Sequence, residues 1–354
     1  MTDLEPLRVL VLGASYGLLA AAKISLAGHH VTLVCRRAEA DVFLAQGAQV
    51  LIPTKDLTDR HDLTLPTIEG VAHDAGILGV VEPTEVLPDL FDLAILAMGE
   101  PQYAAPEIAS LMAKIGQTGL ACLSLMNLLP APFLAGLDLD IAKLAPAYGA
   151  FDVWKTLNPS QITSASPDPQ AVRLDPARLN DLTVTLASNF KVAPFADPLH
   201  QSLIVRLAHD VDHIAGPATA VRIVAHPSRF VPLAKWPMLI TGNCRCLRDG
   251  APVSIGEAVH SDLAESRQIY DWVSGIVRMI GAGDADLVPF DRYAAAARSL
   301  SLPSSLARAL FAKAPKIERV DLLVQLVSQD LGQRDDALNK IVDRIDRTLV
   351  FNRG

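Results

Sequence analysis

The sequence predicts an α/β fold: an amino-terminal doubly wound sheet over residues 1–226, followed by an all-helical carboxyl-terminal domain over residues 227–354. Three observations carry this. Strand-like apolar runs alternate with helical patterns through the first half. A glycine-containing turn joins the first of those runs to the first helix. After His226-Pro227 the pattern changes to long apolar stripes at helical spacing. A chain of 354 residues also exceeds what one core usually organises, so two domains are the default expectation.

The elements follow in order. Residues 8–12 are mostly apolar and partly β-branched, and read as a strand. Gly13 opens a turn, residues 18–26 form an apolar helix, and Gly28 ends it. Residues 31–34 are a second buried strand, which completes a βαβ unit with a right-handed crossover. The pattern repeats with a helix over 42–46, a third strand over 49–52, a fourth over 93–96 and a fifth over 120–125. Between residues 130 and 222, Pro159, Pro167, Pro169 and Pro176 interrupt the periodicity, and residues 182–186 and 220–225 read as further strands. Ile269, Trp272, Val273, Ile276, Val277 and Ile280 then fall on one helical face, and Leu323, Leu326 and Val327 begin a similar stripe.

Composition narrows the function. Half of the residues are hydrophobic and 20% are charged, as in a globular protein. The formal charge of -8, with no basic stripe, argues against a nucleic-acid or anionic-membrane partner and for a small-molecule ligand. Cys35, Cys122, Cys244 and Cys246 lack the number and spacing of a disulfide framework and read as reduced thiols. The polar opening from Met1 to Arg8 lacks the form of a secretory signal, and no apolar run approaches the ~20 residues of a membrane helix. A cytoplasmic protein is the expectation.

The run Gly13-Ala14-Ser15-Tyr16-Gly17-Leu18 lies between a strand and a helix, where backbone N–H groups and the helix dipole can meet a pyrophosphate. Ser15 and Leu18 stand where the G-x-G-x-x-G pattern has its second and third glycines. The flanking strand, helix and second strand supply the context of a Rossmann dinucleotide site. The second strand ends in Val34-Cys35-Arg36-Arg37, with no acidic residue before Glu39. Basic residues at this position suit a 2′-phosphate, so NADP is favoured over NAD, with Arg36 or Arg37 as the clamp. The alternative is a pair of solvated arginines closing a strand.

From Gly13 to Arg37 the sequence GASYGLLAAAKISLAGHHVTLVCRR resembles the opening of the ketopantoate reductases (2-dehydropantoate 2-reductases). The resemblance continues in Ser124-Leu125-Met126-Asn127, in Leu302-Pro303-Ser304-Ser305 and in Ile317-Glu318-Arg319-Val320-Asp321. It implies hydride transfer from NADPH to a 2-oxo acid, with Asn127 beside nicotinamide and substrate and Met98 at the end of the fourth strand near the cofactor. It also implies Ser305 and Glu318 as substrate-site residues, and a lysine that protonates the emerging alkoxide. In the segment Lys235-Trp236-Pro237-Met238-Leu239-Ile240-Thr241-Gly242-Asn243, Met238 takes the place of that lysine and Gly242 that of the first asparagine. Gly99 likewise stands where the family commonly carries a cofactor-contacting lysine. Lys235, three residues before Met238 and eight before Asn243, can substitute as proton donor and face one pocket with Asn243 if the helix already includes it; the alternative is a solvent-facing lysine before the helix. Pro237 works against this pairing, because a proline in the first turn leaves Lys235 at the helix cap or outside it.

Other residues admit two readings. Ser304 or Ser305 can cap a helix as well as contact substrate. Glu318 and Asp321, one turn apart, can be a solvated helix face. His209 and His213 have the i, i+4 spacing of metal ligands but no evident third partner, and surface histidines are the preferred reading. The expectation is an NADP(H)-dependent oxidoreductase acting on a small carbonyl or 2-hydroxy acid, with a homodimer through the carboxyl-terminal helices. The alternatives are the same fold with a non-redox reaction, or a ligand-binding protein without catalysis.

Overall fold

A computed structural model describes residues 5–53, 60–214, 220–248 and 250–354, so the first four residues of the polar opening lie outside the described residues. In chain order the strands are β1 (Arg8–Leu12), β2 (His30–Val34), β3 (Ala48–Pro53), β4 (Arg60–Leu65), β5 (Thr67–Glu69), β6 (Leu78–Val81), β7 (Leu93–Leu96), β8 (Ala121–Ser124), β9 (Ile162–Pro167), β10 (Gln170–Val172), β11 (Asp181–Leu186), β12 (Phe190–Val192) and β13 (Ile223–Ala225). The α-helices are α1 (Gly17–Leu26), α2 (Arg37–Gln46), α3 (Pro106–Thr118), α4 (Ala131–Ala135), α5 (Ile141–Leu144), α6 (Phe151–Trp154), α7 (Pro198–Asp212), α8 (Trp236–Thr241), α9 (Ile255–His260), α10 (Leu263–Ile280), α11 (Phe290–Ala297), α12 (Ser305–Phe311), α13 (Val320–Asp330) and α14 (Asp336–Arg353).

The chain gathers into two compact units. The first comprises Met1–Met98, Gln102–Gly136 and Asp152–Arg229; the second comprises Gly99–Pro101, Leu137–Phe151 and Phe230–Gly354. The second unit thus takes two short segments from the amino-terminal half, which no composition shift in the sequence announces.

The first unit is built on a nine-stranded sheet of order β13-β12-β9-β8-β7-β1-β2-β6-β5. The strands from β5 through to β9 in that order pair in parallel; β12 pairs antiparallel with β9 and parallel with β13. Chain order reverses direction across β1, which lies between β2 and β7, so the topological switch point falls at the carboxyl ends of β1 and β7. The predicted third strand forms, but not in this sheet. β3 joins a separate four-stranded sheet, β10-β11-β3-β4, and β2 is flanked instead by β6. Burial explains the difference: β3 alternates, with Ala48, Val50 and Ile52 buried and Gln49 and Leu51 only partly so, whereas β6 is buried throughout. A strand covered by helices on both faces needs the second pattern. The strands expected at 182–186 and 220–225 form as β11, in the smaller sheet, and β13, at the edge of the larger one.

The described residues of the second unit form helices and turns and no strand. On α10, Ile269, Val273, Ile276 and Val277 are buried, with Trp272 and Ile280 partly covered beside them. Its Tyr270 ring stacks on Tyr293 at 5.3 Å and meets the edge of Phe290 at 5.4 Å, in a core that also holds Cys246, Ile255, Val259 and Ala297. Among the described residues no helix is long and apolar enough to cross a membrane.

Candidate active site

In the first unit, the carboxyl ends of β1, β7 and β8 bring Gly13, Ala97–Met98 and Asn127 to one edge of the sheet. The parallel ladder continues past the strands and fixes these turns: Gly13 N–H donates to the Val34 carbonyl (3.3 Å), Ala97 N–H to Leu12 (2.9 Å) and Leu125 N–H to Leu96 (2.9 Å). Apart from Arg8 at the start of β1, the strands behind are buried, while Gly13, Ala97, Met98 and Asn127 are partly exposed. Ser124, fully buried, accepts the Met126 N–H (3.2 Å) and so sets the turn that delivers Asn127.

Glycine at positions 13 and 17 is a packing requirement. Gly13 has φ +111°, and a Cβ there would lie 2.8 Å from Cγ of Met98 and 3.0 Å from the Ala97 carbonyl. A Cβ on Gly17 would lie 2.8 Å from Val11 and 2.9 Å from Ala97. The turn therefore presses on the end of β7 at the switch point and leads into the ten-residue helix α1, whose N-terminal dipole favours an anion. Ser15 is exposed, and its carbonyl accepts the Leu18 N–H (3.0 Å). Tyr16 turns away to the body of the unit: its hydroxyl donates to the Pro169 carbonyl (2.8 Å), its ring meets Phe190 edge-on, and burial raises its pKa.

The two arginines differ. Arg37, the first residue of α2, faces Asp41 at 2.8 Å, Glu69 at 3.0 Å and Glu82 at 4.0 Å. Arg36, at the N-cap, is 78% exposed and pairs with Glu39 at 3.2 Å. A single partner and greater exposure leave Arg36 better placed than Arg37 to meet a phosphate.

In the second unit, Lys235 occupies the N-cap of α8 with Pro237 in the first turn, as the proline rule requires. The helix ends at Thr241, and Asn243 opens a separate 3-10 turn, Asn243–Cys246, so Lys235 and Asn243 do not share one continuous helical face. The predicted pairing by helical spacing thus fails, because Gly242 breaks the register. Gly242 is itself forced: a Cβ there would lie 2.1 Å from the Tyr293 hydroxyl, which donates to the Met238 carbonyl (3.1 Å). An asparagine at this position has no room.

Ser304 is the cap of α12, accepting the Ala307 N–H (3.1 Å) and donating to the Asn243 carbonyl (2.7 Å). Ser305 is exposed in the first turn and free of that duty. Glu318 precedes α13 and accepts the Glu100 N–H (3.2 Å). Asp321 is not on a solvated face: it is 0% exposed and held by Arg319 at 2.9 Å, which also reaches Asp346 at 2.6 Å. Burial nevertheless raises the Asp321 carboxyl pKa, since desolvation outweighs the guanidinium. Cys244, beside this pair, is a buried free thiol raised by burial and by Asp321.

Sequence reasoning missed Glu100. Its carboxylate is fully buried and accepts the N–H groups of Gly149 (2.9 Å) and Ala150 (2.8 Å). These bonds tie the segment after Gly99 into the second unit; the visible signal was an acid four residues past the end of β7. His209 and His213 straddle the end of α7, with rings 4.2 Å apart and the His213 ring nitrogen on the His209 carbonyl. No group of three His, Cys, Asp or Glu side chains suited to a metal occurs among the described residues.

No protein-family model and no curated protein sequence matches the chain. Solved structures do. The PanE/ApbA family ketopantoate reductase from Ralstonia eutropha JMP134 is 17% identical with a TM-score of 0.66, over 98% of this chain and 99% of that one. D-mandelate dehydrogenase, solved with NADH and anilino(oxo)acetate, is 14% identical with a TM-score of 0.63, over 98% and 100%. A ketopantoate reductase from Staphylococcus aureus, described as dimeric, is 12% identical with a TM-score of 0.62, over 97% and 99%. The chain has the ketopantoate reductase fold, as the resemblance in its sequence implied.

Proposed function

We propose that this chain is an NADP(H)-dependent oxidoreductase that moves a hydride between the nicotinamide and a small carbonyl or 2-hydroxy acid. The observation that carries this reading is the turn at Gly13 and Gly17, where the absence of Cβ atoms lets the backbone close on Ala97 and Met98 at the switch point. That is the place where doubly wound sheets hold dinucleotides. A pyrophosphate fits the backbone of Gly13, Ser15 and Gly17 at the start of α1. Arg36 would hold a 2′-phosphate in exchange for Glu39, and Asn127 the nicotinamide end. When bound, the cofactor supplies or accepts the hydride. The chain's own task is then the proton: Lys235 is the side chain we assign to the alkoxide oxygen, and Asn243, Ser305 and Glu318 to orientation of the substrate.

Fluorescence titration with NADPH tests the reading directly; absence of saturable binding ends it. Turnover of a panel of 2-oxo acids, followed by NADPH absorbance, tests the chemistry. Lys235→Ala should lower kcat by about 10²–10⁴-fold with NADPH affinity unchanged.

A second reading rests on Met238, Gly242 and Gly99, which stand where the resemblance expects two lysines and an asparagine. It keeps the cofactor site and replaces the reduction with a non-redox step or with ligand sensing. NADPH binding without turnover of any carbonyl or alcohol would select it. We also propose a homodimer through the carboxyl-terminal helices, supported by Phe311, Val350 and Phe351, which expose apolar side chains at the adjoining ends of α12 and α14.

A further inference from the structure

Within the second unit, the turn Asn243–Cys246, α10 and the first half of α14 line a solvent-open cavity of about 970 Å³, at whose rim Arg334, Lys340 and Arg344 are exposed. That is the size of a small-ligand pocket, which runs to roughly 300–1,000 Å³. On α14, Ala337, Lys340, Ile341 and Arg344 line it at i, i+3, i+4 and i+7, so one helical face is turned to it. Ala337 and Ile341 give it apolar surface, with Cys244 and Ile269 buried behind them.

Its charge is the unusual feature. In a chain of net charge -8, Arg245, Arg248, Arg334, Lys340 and Arg344 all line this one cavity. Three carboxylates line it too: Glu265 neutralises Arg245 within the site, while Asp335 caps α14 by accepting the Leu338 N–H (2.8 Å) and keeps its charge. The third, Asp336, lies in the first turn of α14. Among the described residues, Arg248, Arg334, Lys340 and Arg344 have no carboxylate within ion-pair distance. Arg248 and Arg344 are instead oriented by neutral acceptors, the Ser261 hydroxyl (2.7 Å) and the Leu247 carbonyl (3.3 Å). Such partners fix a guanidinium without cancelling its charge. Lys340 and Arg344, one turn apart, repel each other. An anion in the cavity would relieve that repulsion, and arginine forks match phosphate oxygens in pairs.

We propose that this cavity binds a small phosphate-bearing metabolite, its phosphates on Arg248, Lys340 and Arg344 and its organic part on Ala337 and Ile341. The site uses none of the residues assigned to the dinucleotide, so the proposal stands or falls apart from the proposed activity. Inorganic pyrophosphate is the probe, titrated calorimetrically into the full chain in the presence of saturating NADPH, which occupies the turn at Gly13. Saturable binding is expected, weakened about tenfold by Lys340→Ala or Arg344→Ala and about a hundredfold by both. The same variants should bind NADPH as the parent does, and Arg36→Ala should leave pyrophosphate binding unchanged. Calorimetric unfolding of each variant separates lost binding from lost folding. Failure of the parent chain to bind pyrophosphate overturns the proposal. So does binding that survives the double variant, or binding that Arg36→Ala weakens while Lys340→Ala does not.

Discussion

Lys23 offers a test of the physics that holds the first unit together. It sits in the last turn of α1, is 1% exposed, and its ammonium has no hydrogen-bond partner among the described residues. Burial lowers its pKa from 10.5 to about 8. At ~1.4 kcal/mol per pH unit, that displacement is a destabilisation of about 3 kcal/mol whenever the amine must be buried charged. The pH dependence follows from proton counting. Below pH 8 both states are protonated and the full cost applies. Between about 8 and 10.5 the unfolded chain holds more protons than the folded one, so stability rises with pH. Above 10.5 the cost is gone. Lys23→Met keeps the aliphatic path and removes the charge, and should stabilise the first unit by about 2–3 kcal/mol at pH 7. That corresponds to roughly 5–10 °C in Tm for a unit of this size. Differential scanning calorimetry at pH 7 and pH 10 is the assay, and the gain should shrink at the higher pH. A variant that melts lower than the parent, or a gain equal at both pH values, refutes the assignment of a desolvated amine.

Arg36→Ala should raise the Kd for NADPH by about tenfold or more while leaving NADH within a factor of about two, since only the former carries the 2′-phosphate; equal losses for both would place the phosphate elsewhere. Gly242→Ala should destabilise the second unit by about 1–3 kcal/mol in urea unfolding, through collision with the Tyr293 hydroxyl, and Tyr293→Phe should restore part of the loss. If the chain is a dimer through α12 and α14, Phe351→Glu should halve its mass in light scattering at micromolar concentration, with the helical signal in circular dichroism unchanged.

The sequence by itself determined the βαβ opening, because strand, turn and helix there follow from neighbours a few residues apart: the period of the apolar residues, and glycine at position 13 where φ must be positive. It also determined the helical character of the last third, since the α10 stripe is periodic within one element. Lys235 at a cap was likewise legible, because Pro237 acts on the adjacent turn. What only the tertiary structure decided depends on partners far along the chain. β3 left the main sheet for β11, a pairing across more than a hundred residues. Glu100 found its acceptor role on amides some fifty residues away. Gly242 is glycine because Tyr293 fills its side-chain space, and the Arg319 that holds buried Asp321 is itself paired with Asp346 of α14. The cationic cavity between the turn at Asn243 and α14 had no sequence signal, because its arginines and lysine are scattered from 245 to 344 and only folding brings them to one place.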